Sequence, residues 1–246
     1  MIITAQPFFD EVDLMLIKCR ELAGLVDAHV IVEANLTYTG QPKPYYFDEA
    51  RDRFADFPII HHKIELPPNN PDGTHMPAWD REDIQRKELS RIVKMLHPEV
   101  VFYTDVDETP RMSTLGRFRQ MKLQTARMEM DDLRYFFNRC DRTSHWHTPY
   151  VTLHDPKADW PPGFHNEAHP IISAAGWHFC FMGGRDQILK SVRAISHAEE
   201  ECGIEYARKV EAGELPDLAR TTPYPIELLP ECIRANPQDY AAYFAK

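Results

Sequence analysis

The sequence predicts an α/β fold with a mostly parallel, Rossmann-like central sheet covered by helices. Three observations carry that expectation. Short β-rich runs alternate with helical periodicity through the first half, the pattern of successive βα units. Val100-Val101-Phe102-Tyr103 is apolar without alternation, as in a strand buried on both faces. The chain has 246 residues, 43% hydrophobic and 27% charged, enough to bury roughly 70 to 75% of its unfolded surface around a sizeable core.

Read in order, residues 2–4 form a first strand, and Asp10 with Asp13 marks a helix start followed by the apolar stripe Val12, Leu16, Ile17 and Leu22. Residues 28–34 form a second strand. Gly40, Pro42 and Pro44 make residues 35–44 a loop. Residues 57–66 form a third strand, ending in the turn-rich Pro67-Pro68-Asn69-Asn70-Pro71-Asp72-Gly73, a candidate flap. Asp80 is expected to cap a long helix whose buried face is Ile84, Leu89, Ile92, Val93 and Leu96, with Pro98 ending it. The strand at 100–103 runs directly into Thr104-Asp105-Val106-Asp107-Glu108. A short helix follows Pro110, then a β-rich run over 126–138 and a loop over 139–170 containing His145, Trp146, His147, Trp160, Pro161 and Pro162. Residues 171–182 return to a strand, Gly183-Gly184 turns the chain, and Ile188, Leu189, Val192 and Ile195 mark another amphipathic helix. The tail from 216 carries several prolines and a final helix at 240–244. Without a repeat, a low-complexity tract or an evident linker, one domain over 1–246 is expected, with a ligand-binding half at 1–110, a second half at 111–200 and peripheral helices at 201–246.

A formal charge of −10, with Lys and Arg scattered in ones and twos, argues against a nucleic-acid partner. No apolar run approaches the length of a transmembrane segment. The acidic Asp10, Glu11 and Asp13 arrive too early for a secretory leader, so the chain is expected to be cytoplasmic. Five irregularly spaced cysteines, with no Cys-x-x-Cys, fit a reducing compartment and suggest neither a disulfide framework nor a structural zinc site.

Asp105 and Asp107, two apart at the end of a strand, are expected to point the same way from the carboxyl edge, where open α/β sheets bind ligands. Two carboxylates about 4 Å apart repel by about 4 kcal/mol at an effective dielectric near 20, so together they call for a cation. Oxygen ligands favour Mg²⁺ or Mn²⁺, which complete their shells with water and substrate phosphates. The plain structural alternative is an Asp-rich turn that caps the helix near Ser113. A chemical alternative is a haloacid-dehalogenase-like phosphatase with Asp105 as nucleophile. Against it, Lys122 and Asp131-Asp132 follow too closely to belong to separate βα units.

The chain resembles glycosyltransferase family 17, the β-1,4-mannosyl-glycoprotein β-1,4-N-acetylglucosaminyltransferase family. The residues carrying the likeness are Val12-Asp13-Leu14 with Arg20-Glu21-Leu22, Val26-Asp27-Ala28, the block from Val32-Glu33-Ala34-Asn35 to Pro44, Asp105 to Pro110, Gly176-Trp177-His178-Phe179, Leu228-Leu229-Pro230 and Asn236-Pro237. The resemblance implies a GT-A type α/β/α sandwich, a UDP-N-acetylglucosamine donor, a divalent metal and inversion at the sugar carbon. It makes Asp105 and Asp107 metal ligands bridging the donor diphosphate, with Asp105 also counted among the donor-binding residues. His178 would complete the metal shell, with His197 a second candidate for that task. Glu33 would meet the nucleoside, and Arg81 and Arg86 would approach the phosphates. Asp186, just after the glycine turn, is the first candidate base for the acceptor hydroxyl, with Glu129 and Asp131 in reserve. Trp146, Trp160 and Trp177 are candidates to stack on sugars. Acceptor choice would lie within 138–170. Golgi members of the family carry a tail, an anchor and a stem, and their absence here suggests a free-standing catalytic domain acting on a glycan or glycoconjugate. A sugar-binding module without turnover is the non-enzymatic alternative.

Overall fold

The computed structural model describes residues 1–155 and 168–245, so Trp160, Pro161 and Pro162 lie outside the described residues. Four strands form the parallel half of the sheet: β1 (Ile2–Phe8), β2 (Ala28–Ala34), β3 (Ile59–Ile64) and β4 (Val100–Tyr103), ordered β3-β2-β1-β4. Helix α1 (Val12–Glu21) links β1 to β2, a short α2 (Tyr46–Ala50) lies in the next crossover, and α3 (Ala78–Leu96) links β3 to β4. β5 (Glu108–Pro110) and α4 (Ser113–Met121) lead into β6 (Thr125–Arg134), followed by β7 (Arg139–Cys140), β8 (Tyr150–Leu153) and β9 (Ile171–Cys180). β8 joins the halves, antiparallel to both β4 and β6. β9 runs parallel to β6 and pairs with β5. The chain closes with α5 (Gly184–Ala194), α6 (Glu201–Glu211), β10 (Thr222–Pro223) on β7, and α7 (Glu231–Ala235).

The two-residue period of the strands divides the core into layers. Ile3 and Ala5 of β1, Val30 and Val32 of β2, and Val101 and Tyr103 of β4 pack with Leu89 and Val93 of α3. On the other face Val100 and Phe102 meet Leu115 and Phe118 of α4, while Ile31 joins Met15 and Ile17 of α1. Helices therefore cover both faces of a mixed sheet in which most paired residues are parallel, as expected from the alternation.

Several boundaries differ from expectation. α3 begins at Ala78 with Pro77 at its N-cap, because the Glu199 carboxylate, 121 residues away, accepts the Ala78 N–H at 3.0 Å; Asp80 lies inside the first turn. The run at 126–138 stops as a strand at Arg134, where Tyr135 turns with φ 65°. The segment at 139–170 contributes β7 and β8 to the sheet. The last helix is a kinked 3₁₀ segment at Pro237–Tyr243. The candidate flap is closed by an Asn69↔His75 bridge and by His75 against Glu199 at 3.0 Å. Among the described residues no helix is long and apolar enough to cross a membrane.

Candidate active site

The acidic pair is not the end of a strand. β4 stops at Tyr103, the Thr104 N–H donates to Ala5 at 3.2 Å, and Asp105-Val106-Asp107 forms a tight turn closed by the Glu108 N–H on the Asp105 carbonyl at 3.2 Å. Val106 is buried and anchors the turn, so its neighbours meet different partners. Asp105 lies 3.0 Å from the guanidinium of Arg86, which is also held by Glu82 one helical turn earlier at 2.7 Å. Asp107 lies 3.5 Å from Nε2 of His178 on β9.

Two buried side chains hold the turn from beneath, and a third holds His178 beside it. Lys18 of α1, fully buried, donates from Nζ to the Asp105 carbonyl at 2.6 Å and to the Thr104 hydroxyl at 2.8 Å. Glu108 accepts the Asp105 N–H at 2.6 Å with one carboxylate oxygen and the Trp146 indole N–H at 2.6 Å with the other. Asp132 of β6 takes His178 Nδ1 at 3.0 Å, while the Trp146 ring stacks on the imidazole with centroids 4.1 Å apart. Nε2 of His178 is thereby fixed toward Asp107, the carboxylate–histidine relay found behind many metal ligands.

The site carries a surplus of negative charge. Burial pushes the Glu11 carboxyl up to about 8, helped by Asp10 and Asp107. Burial, with Asp105 adding to it, pushes Glu108 up to about 7. Burial also raises Asp105, against the pull of Arg86. Lys18 is lowered to about 8 by burial, although Glu108, Asp107 and Asp105 favour its charged form. Burial opposes a charge on His178, yet Asp107, with Cys180 and Asp132, outweighs it and holds the ring well above the usual histidine range. A divalent ion would relieve this arrangement. Two part-exposed carboxylates and one oriented imidazole form a donor set suited to a hard or borderline cation. The buried trio Asp132, His178 and Cys180 also converges. Asp132 is however committed to Arg134 at 2.8 Å, and burial pushes the Cys180 thiol up to about 12.

The profile of glycosyltransferase family 17 matches residues 2–211. The chain belongs to glycosyltransferase family 17. Two curated relatives, the human and mouse proteins named β-1,4-mannosyl-glycoprotein 4-β-N-acetylglucosaminyltransferase, are 32% and 31% identical over 107 residues. Each match covers 41% of this chain and only 20% of the relative's length. Among solved structures, S. aureus TarS 1–349 aligns over 99% of this chain and 83% of its own, at 10% identity and a TM-score of 0.39.

The remaining residues expected at a family 17 site divide by their surroundings. Glu33 is fully buried, and its carboxylate accepts from the N–H groups of Tyr46 at 2.6 Å and Phe47 at 3.3 Å, Lys43 at 3.2 Å and His61 at 3.0 Å. It anchors the start of α2 and does not face an open cleft. Arg81, also buried, donates to the carbonyls of Pro67, Pro68, Met76 and Tyr38, clamping the loops around α3. Trp177 is buried, donates to the Leu228 carbonyl at 2.8 Å and lies under Arg111, so it packs inside. Asp131 is taken by Arg111 at 2.6 Å and Tyr224 at 2.7 Å. Glu129 faces exposed His145 at 3.4 Å. Asp186 is exposed in the first turn of α5, which reaches the rim through Gln187 on Asp10 at 2.9 Å. His197 lies apart from the acidic turn, against Glu200 at 2.7 Å and the Trp79 ring. Sequence reading missed the roles of Lys18, Glu11, Glu108 and Asp132. The one signal for Glu11 was the acidic Asp10-Glu11 step directly after β1.

Proposed function

We propose that this chain is a metal-dependent inverting glycosyltransferase that moves a sugar, N-acetylglucosamine, from a UDP-sugar to a hydroxyl of a glycan or glycoconjugate. The observation that carries the reading is the Asp105–Asp107 turn at the carboxyl edge of β4, flanked by Arg86 on one side and by His178, backed by Asp132, on the other. Family membership and the names of the curated relatives support the class of reaction and the donor sugar. They also speak against the phosphatase reading, as does Arg86, which engages both oxygens of the supposed nucleophile Asp105 at 3.0 and 3.3 Å.

Mn²⁺ or Mg²⁺ would be held by Asp105, Asp107 and His178 Nε2, and when bound supplies positive charge to the donor diphosphate. The chain's own residues do the rest. Arg86 stands beside Asp105, where its guanidinium can pair with a phosphate oxygen. A small pocket lined by Arg86, Leu89, Asp105, Glu108 and Tyr150 adjoins the turn on its inner side. Asp132 and Trp146 fix the imidazole, and Lys18 fixes the turn. Inversion in a single displacement needs a base on the acceptor side, and exposed Asp186 takes the hydroxyl proton. Glu33 and Arg81 shape the loops around the site and leave its chemistry to others. A reducing cytoplasm belongs to the same reading.

A panel of nucleotide sugars with Mn²⁺ tests it. UDP release from UDP-N-acetylglucosamine, increased by a glycan acceptor, is expected. Phosphate release from monoesters without UDP release would favour the phosphatase, and binding without turnover the sugar-binding module.

A further inference from the structure

A second group of ligand-type side chains lies outside the acidic turn. His197 Nδ1, a Glu200 carboxylate oxygen and Cys202 Sγ all lie within 4.8 Å of one another. Glu200 Oε2 is the shared centre, 2.7 Å from the imidazole nitrogen and 3.5 Å from the sulfur. The three come from six consecutive residues because the chain folds back on itself there. A 3₁₀ turn (Ser196–Glu199) meets α6 through the extended Glu200, with φ −89° and ψ 155°. Gly203 permits the closure, since a Cβ at that position would stand 2.1 Å from the His197 carbonyl oxygen.

Trp79 at the start of α3, outside the trio, orients two of its members. Its indole N–H holds the other Glu200 oxygen at 2.9 Å, and its ring meets the His197 imidazole edge-on with centroids 4.7 Å apart. Exposed ion pairs of this kind contribute little to stability, so stability alone gives no reason for such an arrangement. The donor chemistry does. One imidazole nitrogen, one thiolate and one carboxylate make the mixed N/S/O set of borderline metals, unlike the oxygen-rich sets that Mg²⁺ and Mn²⁺ prefer. Tetrahedral bonds of about 2.0 to 2.3 Å place ligand atoms roughly 3.3 to 3.8 Å apart, which small rotations of these exposed side chains would reach.

We infer that His197, Glu200 and Cys202 form a binding site for a zinc-class divalent ion, with water in the fourth position. Binding replaces the His197–Glu200 hydrogen bond with metal bonds, the His197 Nδ1 proton passing to Nε2 through solvent, and releases the Cys202 thiol proton to solvent, leaving no redox change. Through Trp79 and the Glu199 cap on Ala78, the ion ties the start of α6 to the start of α3, the helix that carries Arg86 two turns later. The site is independent of the acidic turn and of the proposed transferase chemistry.

The test uses the whole chain under a phosphine reductant with Co²⁺ as probe. One equivalent is expected to give a near-ultraviolet thiolate-to-cobalt band, displaced by one equivalent of Zn²⁺, and zinc is expected to raise the Tm. Cys202→Ser should remove the band and the Tm shift, and His197→Ala should weaken binding at least roughly tenfold. Both positions are exposed, and circular dichroism checks that both variants fold. Absence of the band in the unaltered chain would overturn the proposal. So would a band that survives in Cys202→Ser and vanishes in Cys180→Ser, which would assign the thiolate to the buried trio.

Discussion

Lys18 and Asp105, 87 residues apart, meet beneath the acidic turn, where the buried ammonium donates to the Asp105 carbonyl at 2.6 Å. A fully buried lysine bonded only to neutral oxygens is costly on its own. Its position explains it, because the positive charge lies directly under Asp105, Asp107 and Glu108.

Lys18→Met should therefore do two things. It leaves the Thr104 hydroxyl and the Asp105 carbonyl without their donor, a loss of about 2 to 4 kcal/mol in urea unfolding. It also frees the turn, so Mn²⁺ binding should weaken even under conditions where the variant is fully folded. Metal affinity equal to that of the unaltered chain would remove Lys18 from the site.

Asp132 supplies a pH signature. Burial alone would raise its carboxyl, but the His178 hydrogen bond and charge, with Arg134, hold it down to about 2 against an ordinary 3.8. The native carboxylate thus stabilises the fold above pH 4. As pH falls from 3.8 toward 2 the unfolded chain takes the proton first, and stability declines by up to about 2 kcal/mol. Urea midpoints of the unaltered chain should fall over that range by more than those of Asp132→Asn; parallel curves would contradict the pairing.

Gly176 explains the Gly-Trp-His triplet in packing terms. A Cβ there would stand 2.3 Å from the Thr109 carbonyl oxygen, on the neighbouring strand β5, and 2.4 Å from the Met130 sulfur. Backbone cannot retreat as a side-chain tip can. Gly176→Ala should cost about 2 to 3 kcal/mol, read as a lower urea midpoint, and should displace His178 two residues on.

Asp186→Asn should keep donor binding and lose transfer by roughly 10² to 10⁴-fold, measured as kcat with a glycan acceptor. Retained transfer would move the base elsewhere, with part-exposed Glu129 next in line.

The parallel half of the fold was readable because short β-rich runs alternate there with helical periodicity, β4 is an unbroken apolar run and α3 repeats its apolar residues at helical spacing. The site was readable only as a location. Asp105 and Asp107 read as strand neighbours facing one way, yet Thr104 bonds back to Ala5 and turns the chain, so one acid meets Arg86 and the other His178. Glu33 and Arg81 look like binding groups in a linear reading, because nothing in their neighbours shows that distant carbonyls and amides will enclose them. Lys18 sits on α1 like any helical lysine until β4 is laid beside β1. The α3 cap was misplaced for the same reason, since the capping carboxylate of Glu199 arrives from 121 residues away.

The most direct measurement is a crystal structure of the chain soaked with UDP and Mn²⁺. The ion is expected within bonding distance of the Asp105 and Asp107 carboxylates, between them and the diphosphate. A diphosphate-bound ion held by other residues, with both carboxylates still facing Arg86 and His178, would contradict the assignment on which the transferase reading stands.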